Sequence, residues 1–210
     1  MFDLCRFIYL SILTYSILLI SSCSVSNKNK SEMVKQNIDI EILKEAKKFC
    51  EMKNMNSDFF IFIDMRIHSG KKRFFVWDFK SEKNIHSFLV SHGCGKNPWS
   101  SDESKDSPSF SNTLESHCSS LGKYKIGKRG YSNWGVHIKY LLHGLEKSNS
   151  NAFKRDIVFH SWNAITDNEV FPLGTPEGWG CPAISNKNFI ILDKLLKQSE
   201  KPYLMWIYNG

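Results

Sequence analysis

Internal repeats and long low-complexity tracts are absent from this 210-residue chain, so repeat arrays and extended disordered polymers are excluded as its architecture. No helix-turn-helix pattern, zinc-finger spacing or RNP-like segment occurs either, and the lysines are scattered rather than striped along one face. A formal charge of +7 therefore does not point to nucleic acid, and envelope polymers or anionic lipid surfaces remain as partners that would use it. The apolar run from Phe7 to Ile20 covers 14 residues, too short for a spanning helix but the length of a signal-peptide core.

What is present begins with that leader. Arg6 precedes the run, and Ile20-Ser21-Ser22-Cys23 resembles a bacterial lipobox, in which the cysteine is acylated and becomes the new N-terminus. We expect residues 1–22 to be a lipoprotein signal peptide and Cys23 the lipidated residue. Removing that leader subtracts Arg6 and Asp3, one charge of each sign, so the mature chain keeps +7. Residues 23–37 are rich in Lys, Asn and Ser without apolar periodicity, which reads as a flexible tether. Residues 38–210 are long enough for one core and hardly for two.

Within that domain, Ile38, Ile42, Leu43, Ala46, Phe49 and Cys50 recur at helical spacing, with Asn37 placed as the cap. From Phe59 the period changes. Phe59–Ile67, Arg73–Phe79 and Ile85–Ser91 are rich in Phe, Ile and Val and are separated by short polar turns, a β-meander whose aromatic side chains are assigned to the core. Gly93–Ser119 is a polar loop of a length that compact domains seldom carry without a use, a candidate lid or substrate-side loop. Tyr124–Gly127 and Trp134–Leu142 resume strand character, and Gly144–Arg155 is polar with room for one helical turn. Asn188–Gln198 reads as a helix and Tyr203–Tyr208 as a closing strand. Many strands with two helices make the domain mainly β.

Six cysteines and seven histidines supply the reactive groups. Ile157–Phe159 is a short apolar run, so His160 stands where a buried strand leaves the sheet. The 20 residues from there to Cys181 are rich in Asn, Asp, Pro and Gly and let the chain fold back, so that the histidine and the cysteine converge. Gly180 can take φ > 0, and Pro182 holds Cys181 extended, so this cysteine does not open a helix. A thiolate for acyl transfer forms when a base or positive partner takes the thiol proton, the role given to His160. Pro182 has no N–H, so an oxyanion must be held by N–H groups of Cys181 and of residues upstream, such as Gly180 and Trp179. Trp179 is also a candidate pocket wall. The second nitrogen of His160 should bond a backbone carbonyl, since no acid lies close in sequence.

The other histidines and cysteines are weighed against this pair. His68 and His86 read as surface or structural residues, and His137 and His143 are structural unless they line the cleft. His92, Cys94, His117 and Cys118 match no structural zinc spacing, and no metal is expected. Cys94 and Cys118 flank the long loop; a disulfide and reduced thiols are equally open.

Taken together, Gly180-Cys181-Pro182-Ala183, His160 after its strand, Phe110-Ser111-Asn112, Ser119-Ser120-Leu121-Gly122-Lys123-Tyr124 and Gly144-Leu145-Glu146 resemble the YkuD-like L,D-transpeptidase catalytic domain of murein cross-linking enzymes, in its murein L,D-transpeptidase subfamily. The resemblance covers Phe59 to Tyr208. It implies an L,D-transpeptidase-like β-sandwich with a few flanking helices, and a thioester mechanism on Cys181 with His160 and Gly180, acting on peptidoglycan stem tetrapeptides by transfer or hydrolysis without a cofactor. Trp179, Ser120, Gly122, Tyr124 and Ser161 become candidate substrate-binding residues, although a hairpin-turn role is equally open for the motif around Ser120. One position departs from the pattern: the family usually has Ser or Thr three residues before the cysteine, and this chain has Gly178. A monomeric, periplasm-facing lipoprotein of the bacterial envelope is expected, either as this enzyme or as a non-catalytic peptidoglycan-binding lipoprotein.

Overall fold

The computed structural model describes residues 38–210. The leader, Cys23, the tether and the proposed cap Asn37 lie outside them.

Two helices and eight strands follow in the order α1 (Ile40–Met52), β1 (Phe59–Asp64), β2 (Phe74–Asp78), β3 (Lys83–Phe88), β4 (Gly122–Tyr131), β5 (Ile138–Gly144), β6 (Val158–Ser161), β7 (Ala183–Ile184), α2 (Asn186–Leu196) and β8 (Leu204–Tyr208). The mainly β domain with flanking helices is what forms. All eight strands belong to one sheet, ordered β3-β2-β1-β8-β4-β5-β6-β7. This sheet curls until its ends meet. Beyond β3, the Ser91 N–H donates to the Ala183 carbonyl at 2.9 Å, and the Ala183 N–H returns to Ser91 Oγ at 3.1 Å. The two layers expected of a sandwich are thus opposite walls of one nearly closed sheet, with Phe74 of β2 stacked on Phe159 of β6 at 5.7 Å.

Sequence alternation explains which side is filled. Phe59, Ile61 and Ile63 of β1 join Phe74, Val76, Tyr124, Tyr140, Phe159 and Met205 in the interior, and α2 plugs it with Phe189, Leu192 and Leu196. The alternate residues Phe60, Phe62, Phe75, Leu204 and Trp206 face outward onto Ile42, Ala46 and Cys50 of α1. Strand β1 is therefore buried on both faces, which is why its sequence is an uninterrupted apolar run instead of an alternating one. Truncating Phe60 or Phe62 to Ala should cost about 3–5 kcal/mol.

Several boundaries and one pairing differ from the sequence reading, three of them for identifiable reasons. Helix α1 starts two residues later than Asn37 would place it, because the Asp39 carboxylate accepts the Glu41 N–H at 2.9 Å and caps it. Trp134 lies in the β4–β5 loop, not in β5, since that loop is held by the Ser132 hydroxyl accepting the Trp134 N–H. The last strand pairs in parallel with β1 and antiparallel with β4, a non-local arrangement that periodicity does not encode. Among the described residues no helix is long and apolar enough to cross a membrane.

Candidate active site

Strand β6 turns Phe159 inward onto Phe189, with ring centres 4.9 Å apart, so Val158 and His160 face the other side. Strand β7 lies parallel to it with His160 opposite Ala183, which sets Cys181 two positions back, beside Val158. Cys181 and His160 thereby stand on the same face as diagonal neighbours, a separation that side chains of this length span. Both line one cavity of about 300 Å³. The Val158 N–H donates to Cys181 Sγ at 3.4 Å, and the thiol points to the Asp156 carbonyl at 3.7 Å. His160 Nδ1 lies 2.9 Å from the Ser161 carbonyl, an acceptor only, so Nδ1 carries the hydrogen and Nε2 keeps its lone pair.

The electrostatics favour an uncharged pair at rest. Although Cys181 is partly open to the cavity, its sulfur is packed among protein atoms, and burial pushes the thiol up to about 11; the Val158 N–H, Arg155 and Lys139 oppose this, and Asp156 adds to it. Burial also holds the His160 imidazole below its ordinary value, with Lys139 in the same direction and the Ser161 carbonyl against it. A neutral imidazole and a neutral thiol lining one cavity can act as base and nucleophile once a proton passes between them.

Gly180 has φ +99, and a Cβ there would meet the Cys118 carbonyl at 2.4 Å, so only glycine lets the loop pass. The Gly180 carbonyl accepts from Ser119 Oγ at 3.1 Å. Among the described residues no acceptor lies within hydrogen-bond reach of the Trp179, Gly180 or Cys181 N–H, which leaves these donors for a ligand. Gly178 is occupied otherwise: its N–H donates to the His92 carbonyl at 2.8 Å and its carbonyl accepts from Cys94 at 2.7 Å.

Of the residues singled out from the sequence, Cys181, His160, Trp179 and Gly178 line the cavity, and Gly180 is not among its lining residues. Trp179 is 60% exposed at its rim, stacked on His117 at 4.9 Å. Ser120, Gly122, Tyr124 and Ser161 do not line it. The Tyr124 hydroxyl is buried and donates to the Ser120 carbonyl, Ser120 Oγ donates to the Ser111 carbonyl, and Ser161 Oγ accepts the Val136 N–H. Gly122, at φ +117, lets Glu146 and Asn149 close against the start of β4. Their motif braces the site from behind through Arg155, whose guanidinium donates to the Ser111 and Cys118 carbonyls and to Ser116 and Ser120 hydroxyls.

Arg155, Lys139, Trp99, Trp134 and Trp162 also line the cavity and were not singled out. Period-2 counting would have found one of them, Trp162, two residues beyond His160; Lys139 lies opposite His160 on β5, a placement set by strand pairing. His137 and His143 stack on Tyr131 and Phe153 away from this cavity. His92 is committed to Arg73, 2.7 Å from its Nδ1, and among the described residues no three His, Cys, Asp or Glu groups converge on a metal position. Cys50, Cys94, Cys118 and Cys181 are free thiols. A larger depression of about 390 Å³, bordered by Lys125, Lys128, His143 and Lys201, holds no cysteine.

The family model of the L,D-transpeptidase catalytic domain matches residues 29–208. The chain belongs to that family, a class of peptidoglycan-modifying enzymes. No curated protein matches it. Among solved structures it is similar to Bd1075 of Bdellovibrio bacteriovorus, with 16% identity, 74% of this chain and 50% of that one covered, and a TM-score of 0.42. It is also similar to an L,D-transpeptidase (residues 123–326) from Xylanimonas cellulosilytica, at 11% identity, 73% and 61% coverage and a TM-score of 0.37. The helical cell shape determining protein Pgp2 from Campylobacter jejuni matches at 10% identity, 78% and 55% coverage and a TM-score of 0.46. The aligned region spans 50 to 61% of the length of those structures.

Proposed function

We propose that the chain is a cysteine-dependent L,D-transpeptidase acting on murein stem tetrapeptides. The observation that carries this is the placement of Cys181, just before β7, and His160, on the parallel strand β6, in one cavity, next to three N–H groups that have no acceptor among the described residues. His160 Nε2 takes the thiol proton as Sγ bonds to the carbonyl carbon of the diamino acid, and the resulting oxyanion is held by the N–H groups of Cys181 and Gly180. Collapse breaks the amide bond, His160 returns the proton to the leaving D-alanine amine, and a thioester remains. An acceptor amine or water then resolves it, with His160 taking the proton of the incoming group. Lys139 and Arg155 supply positive charge for the substrate's carboxylates.

The test is intact-mass analysis after incubation with a tetrapeptide stem. An adduct equal to the stem minus D-alanine is expected on the wild type, formed far more slowly on His160→Ala and not at all on Cys181→Ala; an adduct that survives in Cys181→Ala would move the nucleophile elsewhere. A second reading, a non-catalytic peptidoglycan-binding lipoprotein, draws on the thiol pushed up to about 11 and on Gly178. Stem binding without any adduct would establish it.

We further infer residues 1–22 to be a lipoprotein signal peptide, residues 23–37 a tether, residues 38–210 a monomeric catalytic domain, and Cys23 the lipid anchor at the periplasmic side of the envelope. Cys23→Ser should release the chain from the membrane fraction or leave it unprocessed; unchanged fractionation and processing would overturn the anchor.

A further inference from the structure

Three tryptophans from three separate segments meet beside the Cys181 cavity. Trp99 stacks on Trp162 at 5.5 Å and 22°, Trp134 lies 6.0 Å from Trp99, and Trp134 meets Trp162 edge-on at 6.3 Å. Trp162 is buried, but Trp99 and Trp134 are 49% and 47% exposed. Two half-open indoles backed by a third form an apolar surface of a kind that folding alone does not require.

The backbone that carries each ring is also held in place. Trp99 is bracketed by Glu177: the Ser100 N–H donates to the Glu177 carbonyl at 2.9 Å, the Glu177 N–H to the Ser101 carbonyl at 2.8 Å, and the buried carboxylate accepts from Ser101 Oγ at 3.1 Å and from the Ser104 N–H at 2.7 Å. Trp134 is pinned through its N–H to Ser132 Oγ and through its carbonyl to the His137 N–H. The Trp162 N–H joins the ladder to Ile184. Such fixing lowers the entropy cost of ordering these segments when a ligand arrives.

We propose that Trp99, Trp134 and Trp162 form a subsite for a pyranose ring of the glycan strand that carries the stem peptide. The proposal rests on the transpeptidase reading for its substrate class. A murein stem offers methyl groups, amides and carboxylates, none broad enough to cover two indole faces. A sugar ring fits the pair, which is tilted by 47°, by laying its C–H face on one indole and its edge against the other, the partial positive charge of the C–H groups meeting the negative π face. The reach agrees. Trp162 is two strand positions from His160, ~6.6 Å, and a further 5.5 Å separates Trp162 from Trp99. Three extended residues span ~10–11 Å, enough for a stem whose attacked carbonyl is at Cys181 to carry its sugar as far as Trp162. The cavity thus carries Lys139, paired with Asp156 at 3.7 Å, and Arg155, together with the three indoles.

The experiment compares acylation of the full chain by a free tetrapeptide and by the same tetrapeptide on its N-acetylated disaccharide, and titrates tryptophan fluorescence with a stem-free β-1,4-linked N-acetylglucosamine oligomer. In the wild type the disaccharide should lower KM about tenfold and the oligomer should quench the fluorescence. Trp134→Ala and Trp99→Ala should collapse the KM ratio between the two substrates toward one, and Trp134→Phe should keep most of it. A wild-type ratio of one without quenching overturns the subsite, as does an unchanged ratio in both alanine variants or an equal rise in KM for both substrates. If an alanine variant loses its melting transition, the wild-type ratio, the oligomer titration and Trp134→Phe still decide. Tryptophan-dependent binding of the oligomer without acylation by either substrate would leave the subsite standing and remove the transpeptidase reading instead.

Discussion

If the thiol of Cys181 sits near 11, about one sulfur in 1,000 is thiolate at pH 8, too few to sustain turnover unless His160 takes the proton during attack. Single-turnover acylation by a tetrapeptide, followed by stopped flow from pH 5 to 10, separates these routes. In the wild type, activity requires a neutral His160, whose burial lowers its pKa from 6.5; the rate should fall only as pH drops through that lowered value and stay flat above it. Removing the base in His160→Ala should cost about 10²–10⁴-fold at pH 8. The residual rate should then follow the thiolate fraction, rising about tenfold per pH unit, so that pH 10 recovers about 100-fold over pH 8. Direct titration of the sulfur by its thiolate absorbance gives an independent reading. A midpoint near 7, or a His160→Ala rate that does not change with pH, would refute the argument, because it would mean a preformed thiolate.

Three other outcomes follow from the same geometry. Gly178→Ser places its Cβ where nothing lies within 4 Å, outside the left-handed region, so the hydroxyl found elsewhere in the family has room; stopped-flow acylation should rise several-fold with an unchanged melting temperature, and an equal or slower rate would strip the departure of functional meaning. Gly180→Ala drives a methyl into the Cys118 carbonyl at φ +99 and should lower both stability, by about 1–3 kcal/mol in denaturant melts, and acylation. Hydrogen bonds from Ser104 and His92 overcome burial and hold the Glu177 carboxyl down at about 2. A lowered folded-state value contributes stability above about 4.5 that is lost as pH falls toward 2, so melting temperatures of the wild type should drop across that window, and those of Glu177→Gln should lack this component.

Local sequence carried the central features of the site and little of its walls. The position of His160 after Ile157–Phe159 and the glycine before Cys181 are short-range patterns, and both side chains line one cavity. The walls depend on distant pairing. Trp99 arrives from a polar loop whose shape is set by Glu177, 78 positions on, and Lys139 faces the site only because β5 pairs with β6. The motif at Ser119–Tyr124 shows the converse. Its order along the chain carries a family likeness, but its hydroxyls bond backbone and Arg155 behind the catalytic loop, a use that composition cannot tell from substrate contact.

The strand that follows Cys181 is only two residues long, and its position is borrowed from neighbours on both sides: β6 on one, and Ser91, 90 positions earlier, on the other. Such a strand has no register of its own. The thiol therefore acquires its place only when the two ends of the sheet have found each other, after the longest loop closures have been made. A chain still folding would carry its sulfur in an unassembled and unselective setting, and the cavity around the thiol would form in the same event that completes the seam. Substitutions around Ser91 should accordingly behave in kinetics like substitutions at Cys181's own loop, although they lie in the other half of the polypeptide.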